Sequence, residues 1–480
     1  MSEIPQTSAP EPVPAPAQEE TEALADLPFW KTVLYALGNA AGLLTYNTFN
    51  SFIQFFYTDH VGLPPQWVGR GWFAFGFWNA VNDPIAGWLS DNTQSRIGRR
   101  TLFIRLLAIP VAVAFALVWL PPLDVEQHGA TPVLVYFLVI ISIYDMLQSI
   151  ITLNQDALFP EMFQNTEVRA RGSSIRQFIG FGLGGGLAIA LSPAIYDSAL
   201  GWTGLALIWG SVAALFYFLS LIGIEENPAY AQDAPSLSIG EQARLALRNR
   251  TFLIVLGINF VFRFIFAVLL AALPFYAEYV LNLDGEQTSI LLTALVIATV
   301  VSLIVWQRIF QRFGTRRALI ASFAIAAFCA LPILFTTSLV ATALVLGALG
   351  LGVGGALLLG PDMLFAEVID EDYVKTGARR EGLYRGILGF MFRFPPAFAG
   401  LILGEALAVS GYDADLSVAE QPVAVENTIR AFTAFAPIVA IVFGIALLLL
   451  YPLYGERLRA IQQRAAQMRA ELFRRTSQQS

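Results

Sequence analysis

The sequence predicts an all-α membrane protein with about twelve spanning helices in two six-helix bundles. Three observations carry this. Of 480 residues, 56% are hydrophobic and only 14% charged, where a soluble domain carries about a quarter charged residues. The apolar stretches are long and continuous rather than short and alternating, which selects helices over a barrel. The basic residues alternate between loops in a way that marks one face of the membrane.

Residues 1–28 come first, rich in Pro, Ala and Glu. They lack a basic start and an apolar core, so they read as a disordered cytoplasmic tail and not a signal peptide. Spanning segments are expected at 30–58, 66–90, 101–121, 131–157, 172–197 and 201–223. These make an N-terminal bundle over 29–223, followed by a cytoplasmic loop over 224–250. The second bundle, 251–453, holds segments at 251–280, 287–310, 318–336, 339–366, 382–409 and 428–453. Residues 454–480 are basic and helix-forming, either a helix along the membrane surface or a solvated tail helix. The single cysteine, Cys329, sits in an apolar run and reads as a packed, inert thiol.

Of the 29 basic residues, 25 fall on one side of this arrangement, in the loops 2–3, 4–5, 6–7, 8–9 and 10–11 and at the two ends. By the positive-inside rule that side is cytoplasmic, with both termini inside a cell membrane. The even helix number agrees. The halves also repeat: "FFYTDHVGL" ends segment 1 and "RIGRR" follows segment 2, while "PFYAEYVLNL" ends segment 7 and "RFGTRR" follows segment 8.

Ionisable residues inside a membrane are costly, and they are functional candidates for that reason. In segment 2, Asn79 and Asp83 are four apart and share a face, with Asn82 beside them. Their oxygens suit a small cation, and the carboxylate alternatively carries a proton. A buried packing cluster is the other reading. In segment 4, Asp145, Ser149, Thr152 and Asp156 form one stripe, flanked by Gln148 and Gln155. Such a stripe belongs on a water-filled cavity, unless Asp156 lies in the inner loop and Asp145 pairs with an arginine. Arg176, Arg263 and Arg393 need partners, and pairs across the halves would make a gate or a substrate anchor. Asp91, Arg99 and Arg100 after segment 2, and Arg379 and Arg380 in "DEDYVKTGARREG", are candidates for a cytoplasmic gate of salt bridges; their other reading is topology signalling.

Several stretches resemble one family. "NDPIAGWLSDNTQSRIGRRTLFI", "DALFPEM" with "RARGSSIRQ", and "DMLFAEVIDEDYVKTGARREGLYRGILGF" resemble signatures of the glycoside–pentoside–hexuronide:cation symporters, a branch of the major facilitator superfamily. The resemblance covers nearly all of the chain beyond the N-terminal tail. It implies the major facilitator fold, alternating access and cation-coupled symport. Matched to the family's melibiose permease, the cation site falls on Asn79, Asn82, Asp83 and Ser149, with Asn79 where the family has a second aspartate. One charge fewer favours H+ over Na+ as the coupling ion, or a weakened coupling. The sugar site departs further. Gly42 and Leu43 replace a charged pair, Thr152 an aspartate and Asp156 a tryptophan, while Arg176 remains and Arg393 replaces a lysine.

The expectation is therefore a symporter of a sugar-like or anionic organic solute, with Arg176, Asp156, Thr152, Gln148, Arg393, Arg263 and Asp145 around the substrate. The alternatives are an uncoupled facilitator, a lysolipid carrier of the same fold, or a non-transporting sensor. No catalytic residue, metal site, cofactor or nucleic-acid partner is expected, and the working unit is expected to be a monomer in the lipid bilayer. His60 and His128, the only histidines, lie in outer loops, which argues against a membrane enzyme.

Overall fold

The computed structural model describes residues 28–91, 93, 95, 98–163, 166–226, 247–377 and 381–477. The tail expected to be disordered (apart from Pro28) and most of the central loop lie outside the described residues. So do Arg379, Arg380 and the side chain of Asp91, three of the expected gate residues. No strand occurs among the described residues.

Twelve helical rods of membrane length occur among the described residues. In the first half, α1 is Phe29–Phe55, continued by a π-helical turn Phe56–His60. Next come α2 (Pro65–Asp91), α3 (Arg99–Val118) and α4 (Ala130–Met162). Then α5 runs from Thr166–Ile179 through a π-helical stretch Gly180–Gly186 to Leu187–Tyr196, and α6 is Gly201–Gly223. In the second half, α7 is Arg250–Phe275 with a π-helical turn Tyr276–Val280, and α8 is Gly285–Phe313. Helix α9 is Thr315–Ala330, tightening into a 3-10 turn Leu331–Leu334. Helix α10 joins Leu339–Leu349, Gly350–Gly354 and Gly355–Thr376. Helix α11 is broken into Glu381–Met391 and Phe394–Ser410, and α12 is Val423–Leu450. A last helix, α13 (Gly455–Ser477), follows.

The largest departures from expectation are at the basic-loop ends. Helix α4 runs to Met162 and α10 to Thr376, beyond the apolar segments expected to end at 157 and 366. Hydropathy finds the apolar span, whereas the backbone hydrogen-bond ladder continues into water through good helix formers.

The sequence repeat has a structural counterpart. Tyr57 donates its hydroxyl to Val118 O at the end of α3 (2.9 Å), and Tyr276 donates to Ile333 O at the end of α9 (2.7 Å). Each tyrosine thus satisfies a carbonyl that a helix end leaves free. Gly98 and Gly314 precede α3 and α9 with φ of 99° and 77°. L-residues with a side chain rarely take that conformation, which is why both "RIGRR" and "RFGTRR" carry glycine there.

The halves meet tightly on the face opposite the basic loops. Helices α2 and α11 approach through glycines: a Cβ on Gly69 would lie 2.7 Å from Gly400 O, and one on Gly404 would lie 2.4 Å from Pro65 O. Gln54 donates to Gly400 O (2.9 Å) and Trp72 Nε1 to Pro396 O (3.1 Å). Between α5 and α8, Gly285 N donates to Asp197 (2.7 Å) and Ala194 N to Ser289 (2.9 Å).

On the basic-loop side, Arg100 Nη2 lies 3.1 Å from Glu161 at the end of α4. The backbone N–H groups of Arg100 and Thr101 both donate to Glu226 beyond α6, at 3.0 Å. Arg100 therefore ties α3 to its neighbours within the first bundle, and Arg99 begins the same helix. The C-terminal helix α13 packs against α10, with Ala465 fully buried and Arg457 3.6 Å from Glu371.

Candidate functional site

The site lies between the halves and is built from α1, α2, α4, α5, α7 and α11. Helix α2 supplies Asn79, Asn82 and Asp83. One turn apart, Asn79 and Asp83 share a face, and helix α4 packs beside it. Ser149 donates to Asp83 Oδ1 at 2.9 Å, and Asn82 Nδ2 donates to Asp145 Oδ2 at 2.8 Å. The second oxygen of Asp83 forms an ion pair with Arg393 from the opposite half. Arg393 can reach it because α11 is interrupted at 392–393, ahead of Pro395 and Pro396. Proline lacks an N–H donor and disfavours helix in the residue before it.

The expected stripe on α4 faces a cavity of about 360 Å³. Asp145, Ser149, Thr152 and Asp156 all line it, together with Gln148 and Gln155. Glycine on α1 makes the room: a Cβ on Gly38 would lie 1.5 Å from Gln155 Nε2. Gln148 is fixed by Tyr217, whose hydroxyl lies 3.0 Å from Nε2 and 3.1 Å from Oε1, and Gln148 also donates to Thr152 (3.3 Å). Asp156 forms an ion pair with Arg176, which also donates to Asn39 Oδ1 at 3.2 Å. The Asp156 side chain is 48% exposed, at the end of the cavity nearer the basic loops.

Arg263, from α7, is different. Among the described residues it has neither a carboxylate nor a hydrogen-bond partner, and its Cζ stacks 3.5 Å from the Phe392 ring centroid. It lines the polar cavity and also a second chamber of about 230 Å³ on the far side. That chamber is mostly apolar, with Ile53, Phe181, Phe266, Leu270 and Leu358 in its wall. Leu43, Tyr46, Arg263 and Phe392 border both spaces.

So the structure brings together every candidate cation and substrate residue named from sequence, and it assigns the acids their arginines: Asp83 to Arg393, Asp156 to Arg176. It adds residues that sequence reading passed over. Asn39 holds Arg176, and Tyr217 holds Gln148. On the far face, Tyr279 and Tyr412 of the second half both donate to Asp59 of the first, and their hydroxyls lie 3.0 Å apart. Burial, then the neighbouring Asp59 carboxylate, pushes the Tyr412 phenol up, so it remains a donor. The repeated "YTDH" and "FYAEY" stretches were the signal for this cluster. Arg70 and Glu405 add an exposed ion pair at the same face, 2.6 Å.

Three comparisons bear on this geometry. The profile of the family described as MFS/sugar transport protein matches residues 34–455. The chain is 26% identical to a protein named glucuronide carrier protein homolog of Escherichia coli, over 90% of this chain and 94% of that one. It is 25% identical to the sodium-dependent lysophosphatidylcholine symporter 1-A of Danio rerio, over 93% of this chain and 89% of that one. Among solved structures, a bacterial homolog of the human lysosomal transporter Spinster, inward-facing and unoccupied, superposes with a TM-score of 0.65 at 16% identity. It covers 92% of this chain and 99% of that one, and at this identity the likeness speaks to fold.

Proposed function

The chain belongs to the MFS/sugar transport protein family, and we propose that this member couples a monovalent cation to the movement of a solute that carries one anionic group. Secondary transport across a bilayer is the family's work, and no catalytic step is involved. The observation that carries the choice of solute is Arg263. A guanidinium cannot lose its charge, and one left facing a cavity without a carboxylate invites an anion. Around it, Asn39, Gln148, Thr152 and Gln155 offer the mixed donors and acceptors that sugar hydroxyls use. A uronide fits this chemistry, and the glucuronide named for a relative is of that class.

In this reading Asp83, Asn79, Asn82 and Ser149 form the coupling-ion region beside the solute. Asp156, Arg176 and Arg393 shape the cavity around it. The basic-loop face is cytoplasmic, both termini lie inside, and the monomer transports. With the opposite face closed, this reading takes the conformation as the inward-open one of an alternating-access cycle.

The apolar chamber beyond Arg263 supports a second reading. An acyl chain fits there with a phosphate at the guanidinium, as in a lysophospholipid. Calorimetric binding of methyl β-D-glucuronide, methyl β-D-glucoside and lysophosphatidylcholine to purified protein separates the readings. The uronide should bind at least about tenfold more tightly than the neutral glucoside, about 1.4 kcal/mol, and Arg263→Gln should erase that preference. Lysolipid binding without uronide binding favours the second reading. No preference for either anion would overturn the role of Arg263.

A further inference from the structure

The two halves treat the same basic turn differently, and the difference points to a bound anion. "RIGRR" and "RFGTRR" align Gly98 with Gly314 and Arg100 with Arg316. "LFPEM" and "LFAEV" likewise align Glu161 with Glu367. In the first half a carboxylate of the chain fills the turn. Glu226 accepts from the N–H groups of Arg100 and Thr101 at 3.0 Å, and a Cβ on Gly98 would lie 2.3 Å from Glu226 Oε2. The Arg100 side chain pairs with Glu161 at 3.1 Å.

In the second half no carboxylate among the described residues takes either place. No side chain caps the first turn of α9, and nothing beyond its own chain neighbours lies within 4 Å of where a Cβ on Gly314 would stand. Glu367 turns instead to the hydroxyls of Thr315 and Tyr451. Arg316 donates to the carbonyls of Leu448 (2.7 Å) and Leu449 (2.8 Å) at the end of α12 and stacks on Tyr454, so its charge meets only neutral groups. The turn lines a cleft of about 680 Å³ between the start of α9, the end of α12 and α13. Arg312, Arg317 and Arg459 line it too, all exposed and, among the described residues, without a carboxylate. Four arginines thus face two acids there, Glu367 and the exposed Glu456. Uncapped N–H groups beside spare guanidinium groups are a phosphate-binding arrangement.

The position selects the source of the phosphate. The cleft lies where α8 and α12 leave the membrane-spanning region, and Phe313, Leu449, Leu450 and Tyr454 stand exposed beside it. We propose that this cleft binds the headgroup phosphate of an anionic phospholipid from the leaflet at the basic-loop face, its acyl chains lying along Phe313, Leu449 and Leu450. The lipid supplies to the second half the anion that Glu226 supplies to the first. It also bridges α9, α12 and α13, and so holds α13 in its docked place. A zwitterionic headgroup would set an ammonium among the arginines, which favours phosphatidylglycerol over phosphatidylcholine.

The test is thermal unfolding of delipidated, detergent-solubilised full-length protein titrated with dioleoyl phosphatidylglycerol, dioleoyl phosphatidylcholine or glycerol 1-phosphate. Phosphatidylglycerol should raise the unfolding temperature saturably, and phosphatidylcholine should need at least about tenfold more lipid for the same rise. Arg312→Gln with Arg317→Gln should weaken the phosphatidylglycerol response at least about tenfold. Arg459→Gln alone should weaken it in the same direction, which keeps the test available if the double variant does not purify. Arg105→Gln with Arg171→Gln removes two exposed arginines from the first half and should leave the response unchanged. Arg263→Gln should leave it too, which separates this cleft from the central cavity. The proposal is overturned by equal responses to the two lipids, by Arg312→Gln with Arg317→Gln titrating like the parent, or by an equal loss in the first-half pair or in Arg263→Gln. A saturable response to glycerol 1-phosphate as large as that to the lipid overturns the lipid as the source of the phosphate.

Discussion

At the scale of single residues, the site is a set of paired charges in which, among the described residues, Arg263 has no carboxylate partner. Asp83 and Arg393 are 28% and 22% exposed, so their pair is only partly desolvated. Asp83→Asn should therefore cost ~1–3 kcal/mol, less than the ~3–5 kcal/mol of breaking a fully buried pair. Adding Arg393→Gln should recover part of that loss, because the stranded guanidinium is what destabilises. Urea unfolding of detergent-solubilised single and double variants reads both steps, and strict additivity would show that the pair is not coupled. Much of this chemistry was legible in the sequence. The α4 stripe was plain from its spacing, and all four members line the cavity. Which acid met which arginine was not legible, because pairing between α2 and α11 depends on helix rotation and on the break at Arg393, neither of which hydropathy encodes.

At the scale of elements, close glycine contacts and helix breaks position the site. The α2–α11 contact has no space for a side chain at Gly404, where a Cβ would lie 2.4 Å from a backbone oxygen. Gly404→Val should force these helices apart at the far face and abolish uptake while sparing expression. A thiol reagent confined to the outer side checks the cause. In a Cys329→Ser background, Leu270→Cys in the second, apolar chamber should be labelled faster when Gly404→Val is added; equal rates would disprove the wedge. The docked α13 makes a separate forecast. Ala465→Arg puts a charge where the helix packs with no exposed area, so it should lower the unfolding temperature without changing solute selectivity. The sequence showed α13 as helical and basic, but not as docked, since its buried face is narrow and its outer face carries the charges.

At the scale of the whole molecule, two halves close against each other at one end and leave a polar cavity toward the other. Asp59 is the centre of that closure, held by two phenols of the opposite half. Tyr279→Phe with Tyr412→Phe removes both donors and leaves a half-buried carboxylate without them. The balance should then move toward the outward-open form, seen as faster outer-side labelling of Leu270→Cys; unchanged labelling would mean that the glycine contacts hold the face shut alone. The repeated motifs made the two halves legible in the sequence. The closure was not, because it depends on which ends of the repeat touch.

The central claim is that Arg263 receives the anion of a solute moved through this cavity. Counterflow of radiolabelled methyl β-D-glucuronide in proteoliposomes tests it most directly. The account predicts saturable exchange by the parent protein, with methyl β-D-glucoside exchanged at least about tenfold less well, and loss of uronide exchange in Arg263→Gln. Uronide exchange that survives Arg263→Gln, or equal exchange of the charged and neutral sugars, would contradict it.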